Sequence, residues 1–346
     1  KQSTESWAAY GQYEYELTAQ WVLIAGLRYT TEEKKINYKG YDLSGIFEAE
    51  TAAGNIPLTP TRPTPSSTFI YTEGTVGDQA KQTDDPVTGK LELDYKPTED
   101  LLLYTSYSRG SKSAGFNTGF LDETGIFASN SPATVPFGEE TLDAYEVGFK
   151  STLADNTVRL NGAMFYYDYS DVQTFRFELL NQIIFNTDAE YWGGELELVA
   201  APVEGLDLMV GAAYLDTTVK DVPGYDGVGR DRTAVSAPDW SVSAAARYEW
   251  DMFKGIMAGV VTYSYQGETY FDIQNQDTAR EAGYSVTNVR LEWTSPEQQY
   301  TLTAFVDNVF DEEYLVYTFD FTSSFGLNQQ AYGKPRWAGV TARYSF

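Results

Sequence analysis

Lys334-Pro-Arg-Trp-Ala-Gly-Val-Thr-Ala-Arg-Tyr-Ser-Phe346 closes the chain, with Ala338, Val340, Ala342, Tyr344 and Phe346 alternating against Thr341, Arg343 and Ser345. Side chains of a strand point to opposite faces in turn, so a strand with lipid on one side and a wet lumen on the other carries this two-residue period. The same period recurs at about 4–17, 20–38, 87–95, 100–109, 140–152, 156–170, 188–200, 205–219, 236–250, 254–266, 281–294, 298–310 and 334–346, thirteen segments in all. The clearest is 240–250, where Trp240, Val242, Ala244, Ala246, Tyr248 and Trp250 share a face against Ser241, Ser243, Ala245, Arg247 and Glu249. Ten residues at ~3.3 Å each, tilted by ~40°, rise about 25 Å, the height of the apolar band between the aromatic girdles of a membrane barrel. Trp240, Tyr248, Trp250, Trp293 and Tyr344 are accordingly read as girdle aromatics.

The connections also alternate. Short turns, such as Thr18-Ala19, Ala154-Asp155-Asn156 and Asp251-Met252-Phe253, separate long loops at about 39–86, 110–139, 171–187, 220–235, 267–280 and 311–333. Sorting short turns to one rim and long loops to the other is the habit of outer-membrane barrels, with long loops outside. It places Phe346 at the periplasmic rim. Thirteen strands would leave the two chain ends on opposite sides, whereas single-chain bacterial barrels normally have an even count. The expectation is an all-β, antiparallel transmembrane barrel, with residues 1–346 as one partial domain whose N-terminal strands lie outside this chain.

Composition permits this fold without requiring it, since a soluble secreted β-sandwich fits equally well. No apolar run approaches the ~20 residues of a helical span. The absence of Cys and His removes disulfides, thiolate or imidazole metal ligands and the Ser-His-Asp triad. Fifty Asp plus Glu offer many chance carboxylate pairs and single out none, so an enzyme is not expected, nor a cofactor. A formal charge of −26 argues against nucleic acid as a partner.

Three stretches carry a family resemblance. Phe305-Val-Asp-Asn-Val-Phe-Asp-Glu-Glu-Tyr314, with Gly333-Lys-Pro-Arg-Trp-Ala-Gly339 and the terminal Tyr-Ser-Phe, resembles the carboxyl end of TonB-dependent outer-membrane receptors. There an Asn-Leu/Val-Phe/Thr-Asp-x-x-Tyr stretch ends the penultimate strand and Gly-x-Pro-Arg opens the last. Tyr104-Thr-Ser-Tyr-Ser-Arg-Gly-Ser-Lys-Ser-Ala-Gly-Phe-Asn117 looks like a strand-to-loop passage of that family, and Glu140-Thr-Leu-Asp-Ala-Tyr-Glu-Val-Gly-Phe-Lys150 with Asn161-Gly-Ala-Met-Phe-Tyr-Tyr-Asp168 like the hairpin after it. The resemblance covers the whole chain. It implies a 22-stranded barrel around an N-terminal plug, of which this chain holds the last thirteen strands. It implies active import of a scarce nutrient, foremost a ferric siderophore or other iron chelate, driven by TonB acting on the plug. It also implies outer-membrane lipid and lipopolysaccharide as surroundings, TonB as a partner through the absent N-terminal region, and Phe346 as the terminal aromatic that signals assembly. A passive general porin is the alternative, as is a surface-binding or structural envelope component with a receptor-like barrel and an envelope partner protein.

Ligand-binding candidates fall in the long loops. Tyr317, Phe319 and Phe321 belong to an aromatic loop, 311–333, without a single Lys or Arg, and Phe175, Phe177, Tyr270 and Phe271 are similar. They are either a contact surface for an aromatic or apolar ligand or packing between loops. Arg109, Lys112 and Asn117, where a strand enters a Gly/Ser-rich loop, suit an anionic chelate or pairing with loop carboxylates such as Asp122 and Glu123. Asp311-Glu312-Glu313 reads as a solvated strand end in preference to a Ca²⁺ site. Inward charges such as Glu14, Glu195, Arg247, Arg290 and Glu292 are expected to form cross-strand ladders.

Overall fold

A computed structural model describes residues 1–41, 68–71, 77–117, 135–178, 181–321 and 326–346. Thirteen long strands follow one another: β1 (Gln2–Glu16), β2 (Trp21–Ile36), β3 (Val87–Thr98), β4 (Leu101–Lys112), β5 (Glu140–Leu153), β6 (Val158–Glu178), β7 (Asn181–Val203), β8 (Leu206–Pro223), β9 (Trp240–Met252), β10 (Gly255–Gln266), β11 (Tyr284–Thr294), β12 (Tyr300–Asp307) and β13 (Trp337–Tyr344). Each pairs with its chain neighbours in one sheet with no crossover, and the ladders are antiparallel. All thirteen segments expected from alternation are strands. β1 and β13 stand at the two ends of the sheet.

Register shows why the alternation matters. Across β8, β9 and β10, Val210 faces Ala244 and Ala244 faces Tyr263, so the apolar residues of neighbouring strands share one surface. On this surface Met164, Val147 and Val340 are 63, 56 and 78% exposed, an arrangement water would penalise and lipid would not. Aromatics bound it on both sides. Above, rings run from strand to strand as Tyr107–Tyr145 (5.2 Å), Tyr145–Tyr166 (6.4 Å), Trp192–Tyr214 (5.3 Å) and Tyr214–Trp240 (5.0 Å). Below lie Trp21–Tyr95 (4.4 Å), Tyr248–Trp250 (5.8 Å), Tyr300–Tyr344 (5.0 Å) and Tyr344–Phe346 (5.0 Å), with Trp293 donating to the Met252 carbonyl at 3.2 Å. Trp240 thus belongs to the upper belt, and Tyr248, Trp250, Trp293 and Tyr344 to the lower.

The opposite face is polar, and its charges pair both across strands, as in Arg290–Asp307 (3.9 Å) and Lys112–Glu140 (3.7 Å), and along them. Several ion pairs join residues two apart on one strand, as in Lys90–Glu92 (2.6 Å) and Arg247–Glu249. Neutral donors serve other carboxylates, Tyr104 giving to Glu146 at 2.6 Å and Asn161 to Glu197 at 3.2 Å. Same-face neighbours two apart on a strand lie ~6.6 Å apart, within reach of long side chains.

The segment 171–187, read from sequence as a loop, is largely strand. β6 and β7 run for 21 and 23 residues, roughly 70 Å along the chain, far more than the apolar band needs. The cause of the misreading is a bulge between Tyr169 and Val172, with Asp171 at φ 57°. One extra residue shifts the alternation out of phase, so the pattern appears to stop where the strand only bends. Other long connections are folded as well. Leu315–Phe321 pairs with Leu327–Tyr332, Tyr38–Tyr41 with Thr68–Tyr71, and Lys81–Asp84 joins the upper end of β2.

Candidate functional site

Two loop assemblies sit on the long-loop end of the sheet. In the first, Ile36, Ala80, Phe116 and Val135 form a small apolar core. Asn117, only 4% exposed, exchanges a pair of 2.8 Å hydrogen bonds with the backbone of Ile184, its Nδ2 donating to the carbonyl and its Oδ1 accepting from the N–H. Gln173 donates to the carbonyls of Ser113 (2.9 Å) and Gly138 (3.0 Å), fastening the tall β6–β7 hairpin to the entry of β5. This assembly is a clamp between loops.

The second assembly builds a concave mouth. The chain after β10 turns back so that Ile273, 1% exposed, packs among Ala189, Val219, Val222 and Ala234. Amide side chains hold it there: Asn275 accepts from Thr233 N–H at 2.7 Å and donates to its carbonyl at 3.0 Å, and Gln274 donates to the Pro223 carbonyl at 3.0 Å. The hairpin 315–332 docks on this fold through Leu315 N–H to Glu281 (2.6 Å), Thr278 to Asp320, and the Phe271 and Tyr317 rings at 5.9 Å. Between hairpin, loop and the top of β6, the side chains of Phe175, Arg176, Tyr225, Phe271, Asp272, Ile273, Gln274, Thr318, Phe319 and Asp320 close around a crevice with only about 10 Å³ of free space.

Its electrostatics are nearly balanced. Arg176 stands over the Phe185 ring at 5.8 Å and donates to the Pro223 carbonyl at 3.2 Å. Asp272 accepts from Gln274 N–H at 2.6 Å, yet burial dominates and holds its carboxyl above the usual 3.8, the neighbouring Asp320 adding to the rise. A raised folded-state value means that the loop is favoured by the protonated form. That contribution is complete below about pH 3.8 and is lost as pH rises through the raised value. Amide hydrogen exchange over 269–279 is therefore expected to speed up as pH rises above about 3.8, beyond its intrinsic pH dependence, and Asp272→Asn to flatten the excess.

The candidates from sequence divide cleanly. Phe175, Phe271 and Phe319 line the pocket; Tyr317 stacks edge-on against Phe319 at 4.6 Å, and Phe321 lies parallel to Phe319 at 5.8 Å. Tyr270 donates to Glu268 at 3.3 Å on the margin. The side chain of Phe177, and Phe325, Asp122 and Glu123, lie outside the described residues. Arg109, Lys112 and Asn117 are not gathered with the aromatics. Arg109 shares the lipid-side face and pairs with Asp143 at 3.7 Å, Lys112 pairs with Glu140 at 3.7 Å, and Asn117 is engaged in the clamp. Asp311 pairs with Arg336 at 3.7 Å, and no group of three acids fit for a metal occurs among the described residues. Sequence reading missed Arg176, Tyr225, Asp272 and Gln274. Only the broken alternation at Ser170-Asp171 hinted that Arg176 continues a strand. A larger hollow, lined by Leu91, Val147, Met164 and Trp192, lies on the lipid-facing surface, where acyl chains are the natural filling.

Comparison with known proteins places this geometry. A family model described as TonB dependent receptor-like, beta-barrel matches residues 1–309. The pesticin receptor of Yersinia pestis is 26% identical over 347 aligned positions, covering 99% of this chain and 44% of the receptor. Among solved structures, the ferric yersiniabactin uptake receptor FyuA from Yersinia pestis superposes with a TM-score of 0.75 at 23% identity, covering 100% of this chain and 46% of that one. The ferric-catecholate import receptor Fiu from E. coli K12 follows the same fold at TM-score 0.69 and 17% identity, with 100% and 45% covered. The chain thus spans less than half the length of these relatives.

Proposed function

The chain belongs to the TonB-dependent receptor β-barrel family, and from that premise we propose that it forms the wall and outer mouth of a transporter importing a ferric siderophore or other iron chelate. It resides in the outer membrane of a Gram-negative bacterium. In this reading the mouth binds the chelate, a plug supplied by the rest of the receptor closes the lumen, and TonB working on that plug drives uptake. Lipopolysaccharide is the expected neighbour of the outer face. Relatives named for siderophore and ferric yersiniabactin reception support a chelate as cargo.

The observation that supports the proposal is the aromatic cluster at the long-loop end of the sheet. Three phenylalanines from three separate segments, Phe175, Phe271 and Phe319, converge with one guanidinium and several amide and hydroxyl groups. The crevice among them is too small to enclose a ligand, so in this reading the cluster is a surface on which a small molecule rests, carried by loops on a rigid barrel. In the full-length receptor, Phe319→Ala is expected to lower uptake of ⁵⁵Fe-labelled chelate about tenfold at unchanged receptor level, the effect of losing ~1.4 kcal/mol of binding. Uptake indifferent to this change across a panel of chelates, or an open ohmic conductance of the full-length protein in planar bilayers, would reject the proposal.

A further inference from the structure

We propose that the lipid-facing wall of β3, β4 and β5 holds one phosphatidylethanolamine molecule, with an acyl chain in a hollow below the upper aromatic belt and the headgroup in a second hollow above it. The inference is independent of what the mouth binds. Two cavities stacked on one face of the same three strands carry it. The lower, of about 710 Å³, is lined by Leu93, Thr105 and Val147 in one row across the strands and by Leu91, Tyr107 and Tyr145 in the next row up. The upper, of about 370 Å³, is lined by Val87, Arg109, Ser111, Glu139 and Thr141, with Asp85. Between them runs the row Gly89, Arg109 and Asp143, so tail space and head space lie two residues apart along β4. On β3 that row carries no side chain, and the passage beside Tyr107 is open. A Cβ at Gly89 would lie 2.6 Å from the Gly26 carbonyl oxygen, so the backbone itself keeps this position bare.

Lipid tails are as apolar as the wall they touch, so the lower hollow positions a chain without choosing among lipids. The choice falls to the headgroup. Arg109, its side chain half exposed, is the one cation lining the upper hollow among the described residues. Its partner Asp143 stands 3.7 Å away and already accepts from the Tyr107 hydroxyl at 2.6 Å. A phosphate reaching Arg109 would make charge-assisted hydrogen bonds shorter and stronger than that pair. The same hollow is lined by two carboxylates, Asp85 and Glu139. Oε2 of Glu139 has no hydrogen-bond partner among the described residues, and burial pushes this carboxyl above its ordinary range, with Asp84 adding to the rise. A headgroup that carries only negative charge would meet both carboxylates as like charges. One that carries an ammonium beside its phosphate answers both demands, with the phosphate on Arg109 and the N–H donors on Glu139. Choline has the same charge and no N–H to give, which leaves ethanolamine as the better match.

Four probes decide the matter when offered to the full-length protein, purified in detergent and stripped of its own lipid: dioleoyl phosphatidylethanolamine, phosphatidylcholine and phosphatidylglycerol, and lipid A bearing phosphate alone. Native mass spectrometry reads the bound copies. One copy of phosphatidylethanolamine is expected to be retained, at least about fivefold more tightly than each of the other three. Arg109→Gln should weaken it severalfold. Glu139→Gln should remove the preference and strengthen phosphatidylglycerol. Val147→Trp fills the lower hollow from a position that is 56% exposed, and it should abolish the retained copy at an unchanged melting temperature. Phosphatidylglycerol or lipid A held as tightly as phosphatidylethanolamine overturns the headgroup assignment, and phosphatidylcholine held as tightly overturns the role given to Glu139. The absence of a retained copy, or retention indifferent to both Arg109→Gln and Val147→Trp, overturns the site. Each of these outcomes leaves chelate import standing, since uptake of labelled chelate is measured separately.

Discussion

Ala244→Arg should destabilise the folded barrel by about 2–4 kcal/mol, the cost of a cation near the middle of a lipid-facing barrel surface, whereas Ala245→Arg, one residue along, should change stability by less than about 1 kcal/mol. The two alanines have the same side chain, the same strand and adjacent positions in β9. Ala244 lies in the apolar band between Val210 and Tyr263, four residues below Trp240 and six above Trp250 in sequence. An arginine there would have to lift its guanidinium roughly 13 Å along the strand to reach the upper aromatic belt, further than its stem extends. Ala245 faces the other way, between Met209 and Thr262 on the surface that also carries Ser243 and Arg247. Urea unfolding of the full-length protein reconstituted in vesicles measures both. Equal losses at the two positions would contradict the assignment of faces.

Asn308→Ala is expected to cost about 3 kcal/mol by the same measurement, because three backbone groups would lose their partners at once. Asn308 is 3% exposed and sits at φ 50°, which asparagine tolerates better than alanine. Its Nδ2 donates to the carbonyls of Glu312 (2.8 Å) and Lys334 (3.1 Å), its Oδ1 accepts from Glu312 N–H (2.9 Å), and its own N–H donates to Asn288 (2.9 Å). Asn308→Asp should fall between, since it keeps the acceptor and loses both donors. Gly333→Ala tests the other half of the junction. A Cβ at Gly333 would lie 2.1 Å from Cζ of Tyr314, whose ring stacks on Tyr284 at 4.3 Å, so the ring has to move and the expected loss is about 1–3 kcal/mol. Asp311 completes the join by accepting from Arg336 N–H at 2.8 Å. The motifs around Asn308 and Arg336 are therefore one structural unit, which closes β12 and launches β13 at a fixed position.

Much of this was legible before any coordinate. A two-residue period is a local property, enforced by the pleat, so it survives in the sequence wherever both faces of a strand meet different solvents. Trp240, Trp250 and Tyr344 announced their belts because a girdle needs aromatics at a fixed height and nothing else about the fold. The site was less legible. Phe271 and Phe319 stood out by composition, but Arg109 and Lys112 looked equally suited to a ligand, and their distance from the aromatics depends on which face each strand turns outward. Arg176 was hidden by one inserted residue at Asp171.

What the chain dictates by itself is therefore the strand format: thirteen alternating segments, an apolar face bounded by aromatics, and an acidic character without His or Cys chemistry. What only the tertiary structure decided is which loop residues meet. Asn117 went to a clamp and Phe271 to a pocket because loop packing joins segments tens to well over a hundred residues apart, from Phe175 to Phe319. Contacts of that separation leave no period in the sequence. They are set by how apolar side chains such as Ile273 find a wall to cover and by the hydrogen bonds that backbone groups must then find within reach.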